Sequence, residues 1–153
     1  MRTPTTYEVC LALEKALFAA LGEAVQAGGV VIVQPGAESA PDLKKIQVLH
    51  TVKPGEVQSG ELGGRQGLSL RTGVYSITLS CPPNDATAFA EAWRLTGVLE
   101  KALYRASLPI ADSEGVVACK EPLITNVGET ADKRLALSVS LPWWVWTGGY
   151  EGE

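Results

Sequence analysis

The sequence predicts an α/β (α+β) domain in which a mixed, mostly antiparallel sheet packs against an N-terminal helix and a central helix. Three observations predict it. Val74 to Cys81 alternates, with Tyr75, Ile77, Leu79 and Cys81 on one side and Val74, Ser76, Thr78 and Ser80 on the other, the period of a half-buried strand. Beyond Pro82 and Pro83, which cannot donate to a ladder, Phe89, Ala92, Trp93, Thr96, Leu99 and Leu103 recur at helical steps behind a cap from Asn84 or Asp85. Near the N-terminus, Thr5 and Glu8 form a capping box, and Val9, Leu13, Leu17, Leu21 and Val25 follow at intervals of four until Gly28 and Gly29. Neither helix stands alone. Burying a large apolar side chain gains about 1.5 to 3 kcal/mol, whereas ordering each backbone residue costs roughly 1 to 2 kcal/mol, so the helices need the sheet.

Taken in order, the first helix also carries Leu11 and Phe18 off its main stripe, which suits either a place between core and loop or a subunit contact. Val30 to Val33 is a short β-branched run, residues 34–43 are turn-rich, and Ile46 to Val52 alternates as a second strand. His50, the single histidine, has no carboxylate, thiol or second imidazole at useful spacing and reads as a strand side chain. Lys53 to Gly67 holds five glycines and few large apolar residues, so it is expected to be a mobile loop or the tip of a long glycine-rich β-hairpin. Its GELGGRQG matches neither phosphate-binding glycine pattern. After the central helix, Ser107 to Asp112 reads as a connector, Gly115 to Lys120 and Leu135 to Leu141 as strands, and Asn126 to Arg134 as a polar turn region. Pro142 is expected to keep the following residues out of a central position, so Trp143 to Trp146 continue as an edge or leave the sheet, as a lid over the core or an interface anchor. Residues 147–153 read as a loose tail.

Composition narrows the function. The 153 residues suit one domain, and a net charge of −4 with scattered basic residues argues against a general nucleic-acid binder. Three cysteines lie far apart, which suggests neither a zinc site nor a disulfide framework. No signal-peptide pattern and no apolar run of about 18 residues occurs, so no membrane span is expected. Asp85 with Glu91 and Glu129 with Asp132 are spaced as solvated charge, and no G-x-S-x-G occurs. We therefore expect no catalytic residues, no metal ligands and no cofactor.

One resemblance is more specific. The strand Ile46 to Val52 with Pro54-Gly55-Glu56, then Leu62-Gly63-Gly64 and Gly67, then Arg71, Gly73, Val74 and Tyr75, is similar to the tail terminator (tail completion) proteins of long-tailed, lambda-like bacteriophages and prophages. The same rhythm continues through Pro82-Pro83, an Ala-rich helix, a Val strand, Pro122 to Val127, and a closing strand ending Ser140-Leu141-Pro142, covering roughly residues 46–146. Trp143, Trp144 and Trp146 exceed the tryptophan content of that pattern. The resemblance implies a virion protein that forms a ring, usually a hexamer, at the head-proximal end of the tail. It implies as partners further copies of itself, the tail tube protein and a head-side connector or stopper, with DNA passing the lumen unbound. On that basis Glu56, Glu61 and Arg65 are expected at the tube or lumen, and Arg71, Trp143, Trp144 and Trp146 near subunit contacts. The alternatives are a head-side connector of the neck and a small ligand-binding or enzymatic domain, whose sign would be a deep polar pocket.

Overall fold

The computed structural model describes residues 4–33, 44–59, 69–111, 115–131 and 133–147. Its order is α1 (Thr6–Gln26), β1 (Val30–Val33), β2 (Ile46–Ser59), β3 (Ser69–Cys81), α2 (Ala86–Leu103), β4 (Ser107–Pro109), β5 (Val116–Cys119), β6 (Leu123–Glu129) and β7 (Leu135–Thr147). The seven strands form one sheet in the order β1-β2-β3-β7-β5-β4, with β6 also on β7. Only β1 and β2 run parallel; the other pairs are antiparallel. This is the mixed, mostly antiparallel sheet with two helices that the patterning predicts.

Local chemistry sets both helix starts. Thr5 accepts from the Glu8 amide at 3.2 Å while Glu8 reaches back to the Thr5 amide at 3.1 Å, the reciprocal capping box. Asp85, not Asn84, caps α2 by accepting from the Ala88 amide at 2.9 Å, while Asn84 takes the left-handed turn position at φ 56°. Val9, Leu13, Leu17 and Leu21 are buried, but Val25, at the end of α1, is exposed. In α2, Ala92, Thr96 and Leu99 point inward with Leu95, which the predicted stripe omits, while Trp93 is exposed and meets Phe89 edge to face. Tyr75, Ile77, Leu79, Leu137, Val139 and Leu141 complete the core beneath the helices.

Four expectations change. The strand β2 runs to Ser59 and β3 begins at Ser69, so Lys53 to Ser59 form a hairpin arm, and the rest of the glycine-rich segment lies outside the described residues. The connector contains β4, and most of the polar turn is β6, which continues to Glu129 with a bulge between Asn126 and Gly128. The largest correction concerns Pro142. The strand β7 passes straight through it to Thr147 and is central, flanked by β3 along its whole length and by β6 and β5 on the other side. The Pro142 carbonyl accepts from the Lys120 amide at 2.8 Å. Because a strand residue turns its N–H and C=O to the same side, the missing N–H falls in the gap between β6, whose pairing stops at Ser140, and β5, whose pairing starts at Trp143. No β3 bond is lost.

Trp143 then lies across Gly73, its ladder partner. A Cβ on Gly73 would sit 2.3 Å from Trp143 Cζ2 and 2.6 Å from the Lys53 carbonyl, so the indole and the β2 backbone occupy the space of a side chain. We expect Gly73→Ala to destabilise the protein by about 1 to 3 kcal/mol through overpacking. Gly97→Ala, in α2 where nothing lies within 4 Å, should instead stabilise it by about 0.8 to 1 kcal/mol. Urea unfolding of both variants checks the pair, and equal effects would refute the role given to the Gly73 cavity.

Candidate functional site

Both helices cover one side of the sheet, and among the described residues no helix lies over the opposite side. Its composition follows from the ladder, since paired residues share a face. One row reads Leu49, Thr78, Ser138 and Thr125; the next reads Thr51, Ser76, Ser140 and Leu123; a third reads Lys53, Val74 and Pro142. Thr72, Trp144 and Ala118 close the series. Lys53 is the only charged side chain in these rows, and hydroxyls or small apolar groups fill the rest. The first row of this side, Gln47, Ser80 and Ala136, is buried with Arg134 on Ser80, and the rest is a surface poor in exposed charge that a partner can cover at little desolvation cost. Charge pairs such as Glu91 with Arg94 and Arg105 with Glu121 are on the exposed surface outside these rows.

Two arginines pin this sheet. Arg134, itself buried, donates from Nε to Ser80 Oγ at 2.7 Å and from Nη2 to the carbonyls of Ser80 (2.9 Å) and Lys45 (3.1 Å), tying the starts of β7 and β2 to the end of β3. Arg71, half-buried, reaches Thr6 Oγ1 at 3.3 Å and links the hairpin arm to the start of α1. Of the other expected contact residues, Trp143 is 2% exposed and belongs to the core. Trp144 is half-buried on the uncovered face and walls a broad depression of about 630 Å³ with Arg105, Ala118, Lys120 and Pro142. Glu56 is exposed on the arm, its carbonyl 3.4 Å from the Thr72 hydroxyl. Glu61 and Arg65 lie outside the described residues, as does all but the backbone of Trp146. The structure thus places Glu56, Arg71 and Trp144 on β2, β3 and β7 but does not bring them together, since Arg71 turns to the helix side and Trp144 to the uncovered side, and it adds the Ser and Thr rows, whose signal was the hydroxyl run opposite the apolar positions of β3 and β7.

The clefts are open. The most enclosed, about 440 Å³, lies where Leu11 and Ala12 face Pro109 and Ile110, with Glu8 and Lys15 beside it. Among the described residues no three His, Cys, Asp or Glu side chains assemble as a metal site, and no helix is long and apolar enough to cross a membrane. Burial pushes the Cys119 thiol up to about 11 and also raises Cys81 and Cys10, the last helped by Glu14.

The chain matches no family model and no curated protein. Solved structures do match. One, which carries no functional description, superposes with a TM-score of 0.58 at 16% identity over 88% of this chain and 93% of that one. What is shared is the fold. Another, a chain of the virion of a native gene transfer agent particle, aligns with a TM-score of 0.47 at 19% identity over 94% of this chain and 100% of its own length.

Beneath α1 a single buried polar contact interrupts the core. Tyr75 Oη and His50 Nδ1 lie 2.8 Å apart, Phe18 and Tyr75 meet the imidazole edge to face, and His50 Nε2 has no partner among the described residues. Burial lowers the His50 pKa, against a smaller upward pull from Glu14, and burial with Glu14 and Cys10 keeps Tyr75 a phenol. A folded pKa below the unfolded value means that the unfolded chain binds the extra proton first. Stability is therefore full above the ordinary histidine pKa of about 6.5 and declines as pH falls below it. Melting temperatures from pH 7.5 to 5.5 should fall for the wild type and flatten in His50→Gln; an unchanged slope would show that His50 is not the titrating group.

Proposed function

We propose that this chain is a ring-forming tail terminator of a long-tailed bacteriophage or prophage. As a virion structural protein it caps the head-proximal end of the tail tube, stops tube growth and offers the surface that joins the head. The observation that carries the reading is the uncovered, charge-poor sheet face, because most of the sequence signature within the described residues falls on the strands that build it or on α2, with Pro82-Pro83 in the turn that joins them. The strands β2, β3, β6 and β7 carry Pro54-Gly55-Glu56, Arg71-Thr72-Gly73-Val74-Tyr75, Leu123 to Val127 and Ser140-Leu141-Pro142.

A ring needs two different patches on each subunit. In this reading the hairpin arm, with Glu56 exposed, reaches the tube or lumen, while Arg71 on the helix side and Trp144 on the uncovered side of the neighbouring strands lie near the subunit contacts. The net charge of −4 suits a lumen through which DNA passes without sticking. Six copies closing around the tube, with a connector or stopper above them, complete the assembly.

Polymerising tail tube subunits in the presence of the purified protein tests this by negative-stain imaging. Tubes should stop growing, with a ring at one end only. Tubes that elongate freely, with the protein instead on portal-bearing heads, would assign it to the head-side connector. In the same assay Trp144→Ala should weaken capping at least about tenfold, as for an aromatic anchor, with little change in melting. A variant that unfolds but caps in proportion to its folded fraction would give Trp144 a packing role instead.

A further inference from the structure

Two of the sheet's three edges, at β1 and β6, are unprotected among the described residues. Neither β1 (VVIV) nor residues 123–126 of β6 (LITN) carries a charge, and neither strand has a neighbour on its outer side among the described residues. Natural sheets blunt free edges with lysine, proline, bulges or a covering segment. The third edge, β4, is only three residues long and ends in Pro109. The bulge of β6 falls after Asn126, which leaves its first four residues regular.

Ladder geometry identifies the free groups. With the Pro142 carbonyl facing β5, the even-numbered residues of β7 turn their amides to the β5 and β6 side. Leu123 and Thr125, opposite Ser140 and Ser138, therefore bond β7, and Ile124 and Asn126 turn their amides outward. At the other edge the Ile46 amide donates to the Gly29 carbonyl at 3.1 Å, so Val31 faces β2 while Val30 and Ile32 face out. Register places these groups level. One row runs Ile32, Val48, Leu79, Leu137, Asn126, and the next runs Val33, Leu49, Thr78, Ser138, Thr125. Exposed apolar side chains flank both edges, Leu123 (64%) and Val127 (52%) at β6, Leu49 (43%) and Val25 (38%) near β1.

We infer that β6 of one copy pairs with β1 of a second copy, so that the sheet runs on from copy to copy. The two edges match in length, in lack of charge and in the spacing of their outward amides. Pairing β6 with β6 would leave β1 bare, whereas β6 with β1 covers both. The contact is heterologous, and each added copy presents the complementary edge again. Closure into a ring rests on the function proposed above; the pairing is tested by itself.

Ile124→Pro and Ile32→Pro each remove one outward N–H and leave the ladders within the chain complete. Light scattering over a concentration series should show oligomers for the wild type and monomers for each variant. An equal mixture of the two should form dimers, because Ile32→Pro keeps an intact β6 and Ile124→Pro an intact β1. An isologous contact would show no such rescue. Should either variant fail to fold, amide exchange on the wild type gives the same answer, with Val30, Ile32, Ile124 and Asn126 slowing at least about tenfold on assembly, the size of change expected when an open edge becomes hydrogen-bonded. Oligomers that survive both prolines, free exchange at those amides in the oligomer, or a wild type that stays monomeric throughout would overturn the pairing. Rings that survive the prolines leave the terminator reading intact, and edge-paired oligomers that never bind a tube refute that reading alone.

Discussion

The ladder between β3 and β7, unbroken from Ser69 opposite Thr147 to Cys81 opposite Leu135, is the constraint on which the rest of the molecule depends. It fixes which residues face the helices, and a slip of one residue would turn Tyr75, Ile77 and Leu79 outward together with Leu137, Val139 and Leu141. Two residues that ordinarily interrupt sheets sit within it. Pro142 is tolerated because its nitrogen faces the gap between β6 and β5, and Gly73 is required because Trp143 fills the place of its side chain. The indole thus replaces the packing that glycine lacks, and the strand continues where proline and glycine together would otherwise end it.

That ladder also explains what could be read in the sequence. The alternation of Val74 to Cys81 and of Leu135 to Leu141, the capping box at Thr5 and the stripe through Leu13, Leu17 and Leu21 are local patterns, and each marks an element that forms. The course of β7 past Pro142 was not legible, because proline's effect depends on which side of the strand its nitrogen faces. Only the neighbours decide that, and Lys120, which bonds the Pro142 carbonyl, and Leu123, where β6 stops opposite Ser140, are brought there by ladder pairing. The strand β6 was hidden for a related reason. Asn126 and Gly128 look like turn residues, and they are, but the turn is a bulge within a strand, closed by the Asn126 side chain on the Gly128 amide at 3.0 Å.

The candidate surface was half visible. Ser76, Thr78, Ser138 and Ser140 stand out as hydroxyl positions opposite apolar ones, but nothing local says that four strands align them into one face. Arg71 was named from the signature, and Trp144 from the enrichment of tryptophan at interfaces. Among three neighbouring tryptophans, alternation separates Trp143, which closes the core, from Trp144, which does not, and only the register with Gly73 and Thr72 says which is which.

The arrangement of polarity is the deeper regularity. Polar groups inside the molecule are few and structural: Arg134 on the carbonyls of Lys45 and Ser80, and His50 on Tyr75. The paired charges of Glu91 with Arg94 and Arg105 with Glu121 are exposed and contribute little to stability. The uncovered sheet face and the edges of β1 and β6 hold almost none. A protein that meets only water has little reason to keep one side of its sheet so poor in exposed charge, Lys53 apart, since charged side chains serve both solubility and edge protection. Charge returns beside Trp144, where Arg105, Lys120 and Glu121 line the same depression. The arrangement suits the contacts with other proteins proposed above, with the sheet presenting one broad face and two uncharged edges.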